Sequence, residues 1–300
     1  MTQLECPGGR GRVTSWPLVR FTAYGAVALA TIVVATIATR LLAPPEPSPW
    51  RDLALIKNFV LPIALFAINA GLDRVMERRR AREVDFLTGF STLLIGILIG
   101  SVIISATFLI LWNLGMAEIS SGTGLAGLHR ELLALMITTM VEELLFRVIL
   151  FAILEEITGS LLAIVTSAAA FGLAHAANPG ATPFAIFALS MELGVMLALA
   201  YMLTRNVWIA VGVHAGWNFT QSFILGAQNS GQQHPNSYFQ TTFSGPDYLT
   251  GGVFGLEGSV VSLGLSVIVS AILLVLVLRK QRWNGLRFRL GSPQREFVVG

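Results

Sequence analysis

The sequence predicts an all-α fold, a polytopic transmembrane helix bundle of about eight spans, and three observations carry that prediction. Hydrophobic residues fill 54% of the 300 positions, charged residues only 12%, and mean hydropathy is +0.70. A soluble domain carries roughly 25% charged residues, so much of this surface is matched to lipid. Apolar runs close to the roughly 20 residues needed to cross a bilayer core recur along the chain. The basic residues, finally, alternate between the gaps as the positive-inside rule requires.

Taken in order, the spans fall at about 19–42, 53–72, 86–113, 130–154, 160–177, 184–204, 207–226 and 258–278. The first is longer than the apolar core of a signal peptide and lacks a convincing cleavage site after it, so it reads as a retained helix. With the N-terminus inside, the cytoplasmic gaps hold Arg10, Arg12 and Arg20, the arginines between 74 and 82, Arg205, and the basic residues from Arg279 to Arg295. The outer gaps hold only Arg40, Arg51 and Arg130. The expected organisation is a cytoplasmic tail at 1–18, a membrane domain at 19–278 with its functional core at about 130–225, and a basic cytoplasmic tail at 279–300. Arginine far outnumbers lysine beside abundant Ala, Gly and Val, which points to a bacterial, high-GC source and hence to the cell (plasma) membrane. The run Glu77-Arg78-Arg79-Arg80-Ala81-Arg82 abuts a span end and fits a topology signal better than a nucleic-acid patch. The only cysteine, Cys6, leaves no intrachain disulfide or cysteine metal site.

Charged groups inside spans cost roughly 2.5–3.5 kcal/mol each, so Glu142, Glu143 and Arg147 of the fourth span must face the protein interior or a wet cavity. Glu143 and Arg147, four apart, share a helix face and suit an ion pair. Glu142 lies about 140° round the helix from Arg147 and is left without a cation on its own span. His175 follows Phe171 by one turn on the fifth span, and His214 precedes Asn218 by one turn on the seventh. Both stretches are rich in Ala, Gly and Ser, which let membrane helices approach closely. The midpoint of Glu142 and His175 is the expected turn at Thr158-Gly159, so a hairpin sets the two at one depth, near the cytoplasmic face. Singly, each residue has a plain alternative: a packing histidine, a structural ion pair for Glu143 and Arg147, a helix contact for Asn218. Glu192 on the sixth span is either a further site member or a partner for a neighbouring helix. His129 and His234 lie outside the spans and read as structural. The loop from Ala227 to Leu256 either covers the bundle or meets a substrate.

At these residues the chain resembles the CPBP family of intramembrane proteases, which includes the CAAX prenyl endopeptidases and bacteriocin-processing or self-immunity proteins. The family pattern appears in order as Glu142-Glu143-x-x-x-Arg147, Phe171-x-x-x-His175 and His214-x-x-x-Asn218. The stretch from Ser244-Gly245-Pro246-Asp247 to Glu257 also looks like a segment of bacterial members. The resemblance implies a membrane endopeptidase acting on a membrane-associated peptide or protein within the lipid bilayer, with no nucleic-acid partner. On chemical grounds Glu142 suits general base and acid, His175 a water-positioning group, and His214 with Asn218 oxyanion donors. Glu143, Arg147 and Phe171 are then supports. Two forms of water activation stay open. One uses zinc or another divalent metal on Glu142, His175 and His214, and the other is metal-free. A non-catalytic scaffold or immunity factor and a proton-coupled transporter are the competing classes, the second disfavoured by the lack of repeated halves.

Overall fold

The computed structural model describes residues 16–41, 60–234 and 236–288. Cys6, Lys57, the start of the second expected span and most of the basic C-terminal tail lie outside them. Eight principal helices appear among the described residues at the expected places. They are α1 (Pro17–Leu41), α2 (Val60–Leu72), α3 (Phe86–Asn113), α4 (Leu128–Glu143, running on through Leu144–Phe151 and Ala152–Thr158), α5 (Ser160–Ala174), α6 (Pro183–Thr204), α7 (Trp208–Phe219, running on through Thr220–Ile224) and α8 (Val260–Arg279). The chain is an all-α membrane bundle. Four of the described helices are long and apolar enough to cross a membrane: Pro17–Val34 within α1, then α3, α6 and α8. Leu98 and Val102 on α3, with Ile268 and Ile272 on α8, stand exposed as a lipid-facing belt requires. Helix α4 is outside that set, since Glu142, Glu143 and Arg147 put three charges into its apolar stretch.

Local chemistry fixes the helix boundaries. Asp85 caps α3 by accepting from the Leu87 amide at 3.0 Å, Thr182 caps α6 from Ala185 at 3.1 Å, and Ser259 caps α8 from Val261 at 3.0 Å. Pro183 opens α6, where its missing N–H costs nothing. The turn between α4 and α5 sits at Gly159, whose φ of +88° suits glycine. The fifth helix is shorter than the expected span at 160–177. It ends at Ala174, and His175 caps it instead of lying within it. Turn hydrogen bonds through Ala176 and Asn178 then lead the chain to Pro179 and Gly180, which cannot continue the helix.

Two features were not anticipated. Strand β1 (Ala117–Ser121) pairs antiparallel with β2 (Phe239–Phe243), Ala117 opposite Phe243 and Ser121 opposite Phe239. This ribbon anchors the loop after α7 to the α3–α4 connection. The loop packs inward as a cover, burying Phe254 and Leu256. At the other end, the segment after α8 turns back over the hairpin: Ser160 donates to the Asn284 carbonyl at 3.0 Å and Asn284 donates to the Ser160 hydroxyl at 2.8 Å. Arg205 pairs with the buried carboxylate of Glu155 beside it, and Arg20 joins Glu77 at 2.8 Å and Glu156.

The closest helix approach is α3 against α7. A Cβ on Gly96 would stand 2.5 Å from the Ile209 carbonyl, and one on Gly100 would collide with that of Val213. Reciprocally, Gly212 meets the Leu93 carbonyl and Gly216 that of Ile97. Two Gly-x-x-x-Gly pairs thus bring the backbones into contact, the arrangement small residues permit in membranes. This contact fixes the axis of α7 and with it His214. Gly100→Ala is expected to lower stability by about 1–3 kcal/mol through overpacking. Gly264→Ala on α8, where nothing lies within 4 Å, should be neutral or slightly stabilising. Thermal unfolding of the two variants in detergent checks the contrast.

Candidate active site

The carboxylates of Glu142 and Glu143 lie where α4 widens. Its regular turns end at Glu143 and a π-helical stretch runs from Leu144 to Phe151. Such widened turns recur at functional sites, and this one carries Arg147. Glu143 and Arg147 are both fully buried, with Glu143 Oε2 3.0 Å from Arg147 Nε as an ion pair. The other oxygen of Glu143 accepts a hydrogen bond from His214 Nδ1 at 2.8 Å. One carboxylate therefore ties α4 to α7.

Arg147 reaches further. Its guanidinium donates to the Leu193 carbonyl on α6 and lies over the Phe171 ring, 5.0 Å from the centroid. Phe171, fully buried on α5, is the hub of the cluster. Its ring is 5.0 Å from the His175 ring, 5.8 Å from the His214 ring and 5.1 Å from Phe146. Helix α5 is held against α6 by another close approach, since a Cβ on Gly194 would meet Ala168 at 2.8 Å.

Two imidazole tautomers follow from these bonds. A carbonyl can only accept, so the 2.9 Å contact between His175 Nδ1 and the Phe171 carbonyl places the proton on Nδ1. That leaves Nε2 of His175, on a half-buried ring, as an acceptor. The carboxylate of Glu143 likewise takes the Nδ1 proton of His214, so the Nε2 edge of His214 is turned to Glu142. Those two groups stand 3.9 Å apart, too far for a direct hydrogen bond. Glu142 is the partly open member, its side chain 23% exposed, yet its Oε2 is buried without a donor. A buried acceptor left unsatisfied is costly and marks a place for a molecule from outside the chain.

The structure thus gathers Arg147, His175 and His214 around the Phe171 ring, with Glu143 tied to Arg147 and His214 and Glu142 3.9 Å from His214. Asn218 is buried one turn beyond His214 on α7. His175 joins the group through Phe171 and not through a direct bond to Glu142. The Glu143 bond to His214 and the Leu193 carbonyl were not anticipated from sequence; the glycine pair flanking His214, Gly212 and Gly216, is the signal that α7 approaches a neighbour closely. Among the described residues no three His, Cys, Asp or Glu side chains are grouped closely enough to hold a metal ion. Glu142, His175 and His214 are therefore not drawn together as a three-ligand set in this structure. Outside the site, His234 is bonded to Glu131, in keeping with a structural part.

Residues 125–220 match the family model of the type II CAAX prenyl endopeptidases, Rce1-like. The segment runs from just before α4 to the end of the regular turns of α7 and contains every residue of the cluster. The resemblance read from the three motifs is borne out over this segment, and it supports a membrane endopeptidase of the CAAX protease type. No curated protein and no solved structure matches the chain.

The two adjacent carboxylates should behave differently on neutralisation. Glu143→Gln leaves the buried Arg147 charge uncompensated and is expected to cost about 3–5 kcal/mol of stability. Glu142→Gln removes a charge whose buried oxygen has no partner and should be neutral or stabilising. Unfolding midpoints of the two variants, measured side by side, check this.

Proposed function

We propose that this protein is an intramembrane endopeptidase that hydrolyses a peptide bond of a membrane-associated peptide or protein, with Glu142 activating the water. The observation that carries the reading is the donorless buried oxygen of Glu142, 3.9 Å from His214 Nε2, inside the segment that matches the endopeptidase model.

Each step uses a group of this cluster. A water bound at Glu142 Oε2 gives its proton to that carboxylate as its oxygen attacks the scissile carbonyl carbon. The acceptor Nε2 of His175 orients the water's second hydrogen. The carbonyl oxygen becomes an oxyanion on the side of His214 and Asn218. Asn218 offers an amide N–H there. His214, its Nδ1 proton held by Glu143, presents Nε2–H when protonated, with the Glu143 carboxylate offsetting the imidazolium charge. As the C–N bond breaks, Glu142 returns its proton to the departing amine, and the balance closes on one water consumed. Arg147 acts through Glu143 and the Leu193 carbonyl, holding α4 to α6 and α7.

In the same reading the eight helices are eight spans in a bacterial plasma membrane, both termini cytoplasmic and the protease core at about 130–225. The segregation of basic residues supports it. Zinc or another divalent ion on Glu142, His175 and His214 is the second form of the mechanism, and one assay separates the two. Purified protein is incubated with membrane-peptide substrates in detergent, with and without chelator. Glu142→Ala and His175→Ala are expected to reduce cleavage about 10²–10⁴-fold. Turnover that survives chelation supports the metal-free form, and turnover lost on chelation and restored by zinc supports the metal-bound form. Cleavage at wild-type rate in Glu142→Ala overturns the proposal.

A further inference from the structure

The loop from Ala227 to Leu256 ends beside a buried carboxylate that the mechanism does not use. Glu257 stands in the short turn Leu256–Gly258 ahead of α8 and is 1% exposed. Its two oxygens are taken by two different parts of the chain. Oε1 accepts from the backbone amide of Ser230 and from the Ser230 hydroxyl, the second at 2.9 Å. Oε2 accepts from the side-chain amide of Gln221. Burying a carboxylate this deeply is tolerated because such donors fill its valences.

Each partner leads to a residue of the candidate site. On one side, the Ser230 carbonyl accepts from the side-chain amide of Asn178 at 2.9 Å, and the Asn178 backbone amide donates to the His175 carbonyl at 3.0 Å. His175 caps α5, so no further helical turn holds it, and the route through Asn178 and Ser230 supports it from outside the helix. On the other side, Gln221 is fully buried on the widened end of α7, three residues beyond Asn218. Its side-chain amide also donates to the Gln228 carbonyl at 2.6 Å, and its backbone carbonyl accepts from Ala227 at 2.9 Å.

Backbone contacts keep this assembly tight. A Cβ on Gly231 would collide with the Pro179 carbonyl, and one on Gly180 would stand 2.8 Å from the Phe254 amide nitrogen. Gly255, at φ +112°, passes so near Gln221 that a Cβ would stand 2.8 Å from its side-chain nitrogen. Ser230 adopts φ +46°, a left-handed conformation unfavourable for a residue with a Cβ, and its two bonds to Glu257 hold it there.

We infer that Glu257 is a positioning residue of the endopeptidase site, an inference that rests on the endopeptidase reading of the Glu142 cluster. Through Ser230 and Asn178 it fixes the backbone at His175, and through Gln221 it fixes the end of α7 beyond Asn218. One carboxylate thereby sets the spacing between the water-orienting imidazole and the oxyanion amide, where a misplacement of about 1 Å can cost a hundredfold in rate.

The test compares the full-length wild type with Glu257→Ala, Glu257→Gln and Asn178→Ala in detergent. Two quantities are measured: cleavage of a membrane peptide, and the ring-nitrogen NMR signals of protein carrying isotope-labelled histidine. Glu257→Ala is expected to lower kcat about 10- to 100-fold with KM changed less than about twofold. Glu257→Gln, which keeps an oxygen for Ser230, should recover part of the loss. Asn178→Ala cuts only the route to His175 and should lower kcat in the same way, and adding it to Glu257→Ala should cost little more. The His175 signals should move in both alanine variants while those of His129 stay in place. Should Glu257→Ala fail to fold, Glu257→Gln takes its place with a smaller loss of the same kind. A wild type that cleaves nothing overturns the endopeptidase reading, while the His175 signals still show whether Glu257 holds that residue. Wild-type kcat in Glu257→Ala, a loss that appears in KM instead, unmoved His175 signals, or losses that multiply in the double variant overturn the proposal.

Discussion

The arrangement around the Glu142 cluster depends on one buried carboxylate. Glu143 holds two neighbours, the guanidinium of Arg147 and the Nδ1–H of His214, with no exposure to solvent. Removing such groups from water costs several kcal/mol per ion, repaid only if the geometry is good and the remaining valences are filled. That cost is what makes the arrangement selective. A small slip of α7 along α4 would leave His214 and Glu143 mutually unsatisfied in a low-dielectric interior. Because Arg147 is fixed in turn by the Leu193 carbonyl and the Phe171 ring, the same carboxylate indirectly positions four helices.

The means of bringing those helices close is backbone contact. Without a hydrophobic driving force between helices in lipid, association relies on close packing and polar contacts. The glycines at 96, 100, 212 and 216 let α3 and α7 touch along their main chains. That contact presses His214 toward α4 from behind. The π-helical stretches of α4 and α6 change the helix winding at Arg147 and Glu192.

Much of this was legible in the sequence. The capping residues Asp85, Thr182 and Ser259 and the glycine at 159 mark boundaries by known local chemistry, and the helices fall accordingly. Charged residues inside apolar runs located the cluster because lipid makes them conspicuous. Spacing along one helix also gave the Glu143–Arg147 pair. What spacing cannot supply is the rotation of one helix against another, so the bond from Glu143 to His214, 71 positions away, came only with the fold. The strand Ala117–Ser121 was invisible for a related reason. Its sequence, Ala-Glu-Ile-Ser-Ser, is short and polar, and its pairing partner lies more than a hundred residues on. The end of α5 at His175 was missed because Ala176 and Ala177 are good helix formers, and the turn is imposed by Pro179 and Gly180 downstream.

The tie between Ser160 and Asn284 has a temporal side. The two are 124 positions apart, and α5 through α8 are synthesised between them. Chains are made from the N-terminus, and their parts fold as they emerge. The α4–α5 hairpin, which carries Glu142 and His175, is therefore made with its turn unsecured, before α7 has delivered His214. Only when the segment beyond α8 emerges does the turn receive its last hydrogen bonds. The final fixing of that hairpin is thereby deferred until the whole bundle has been made.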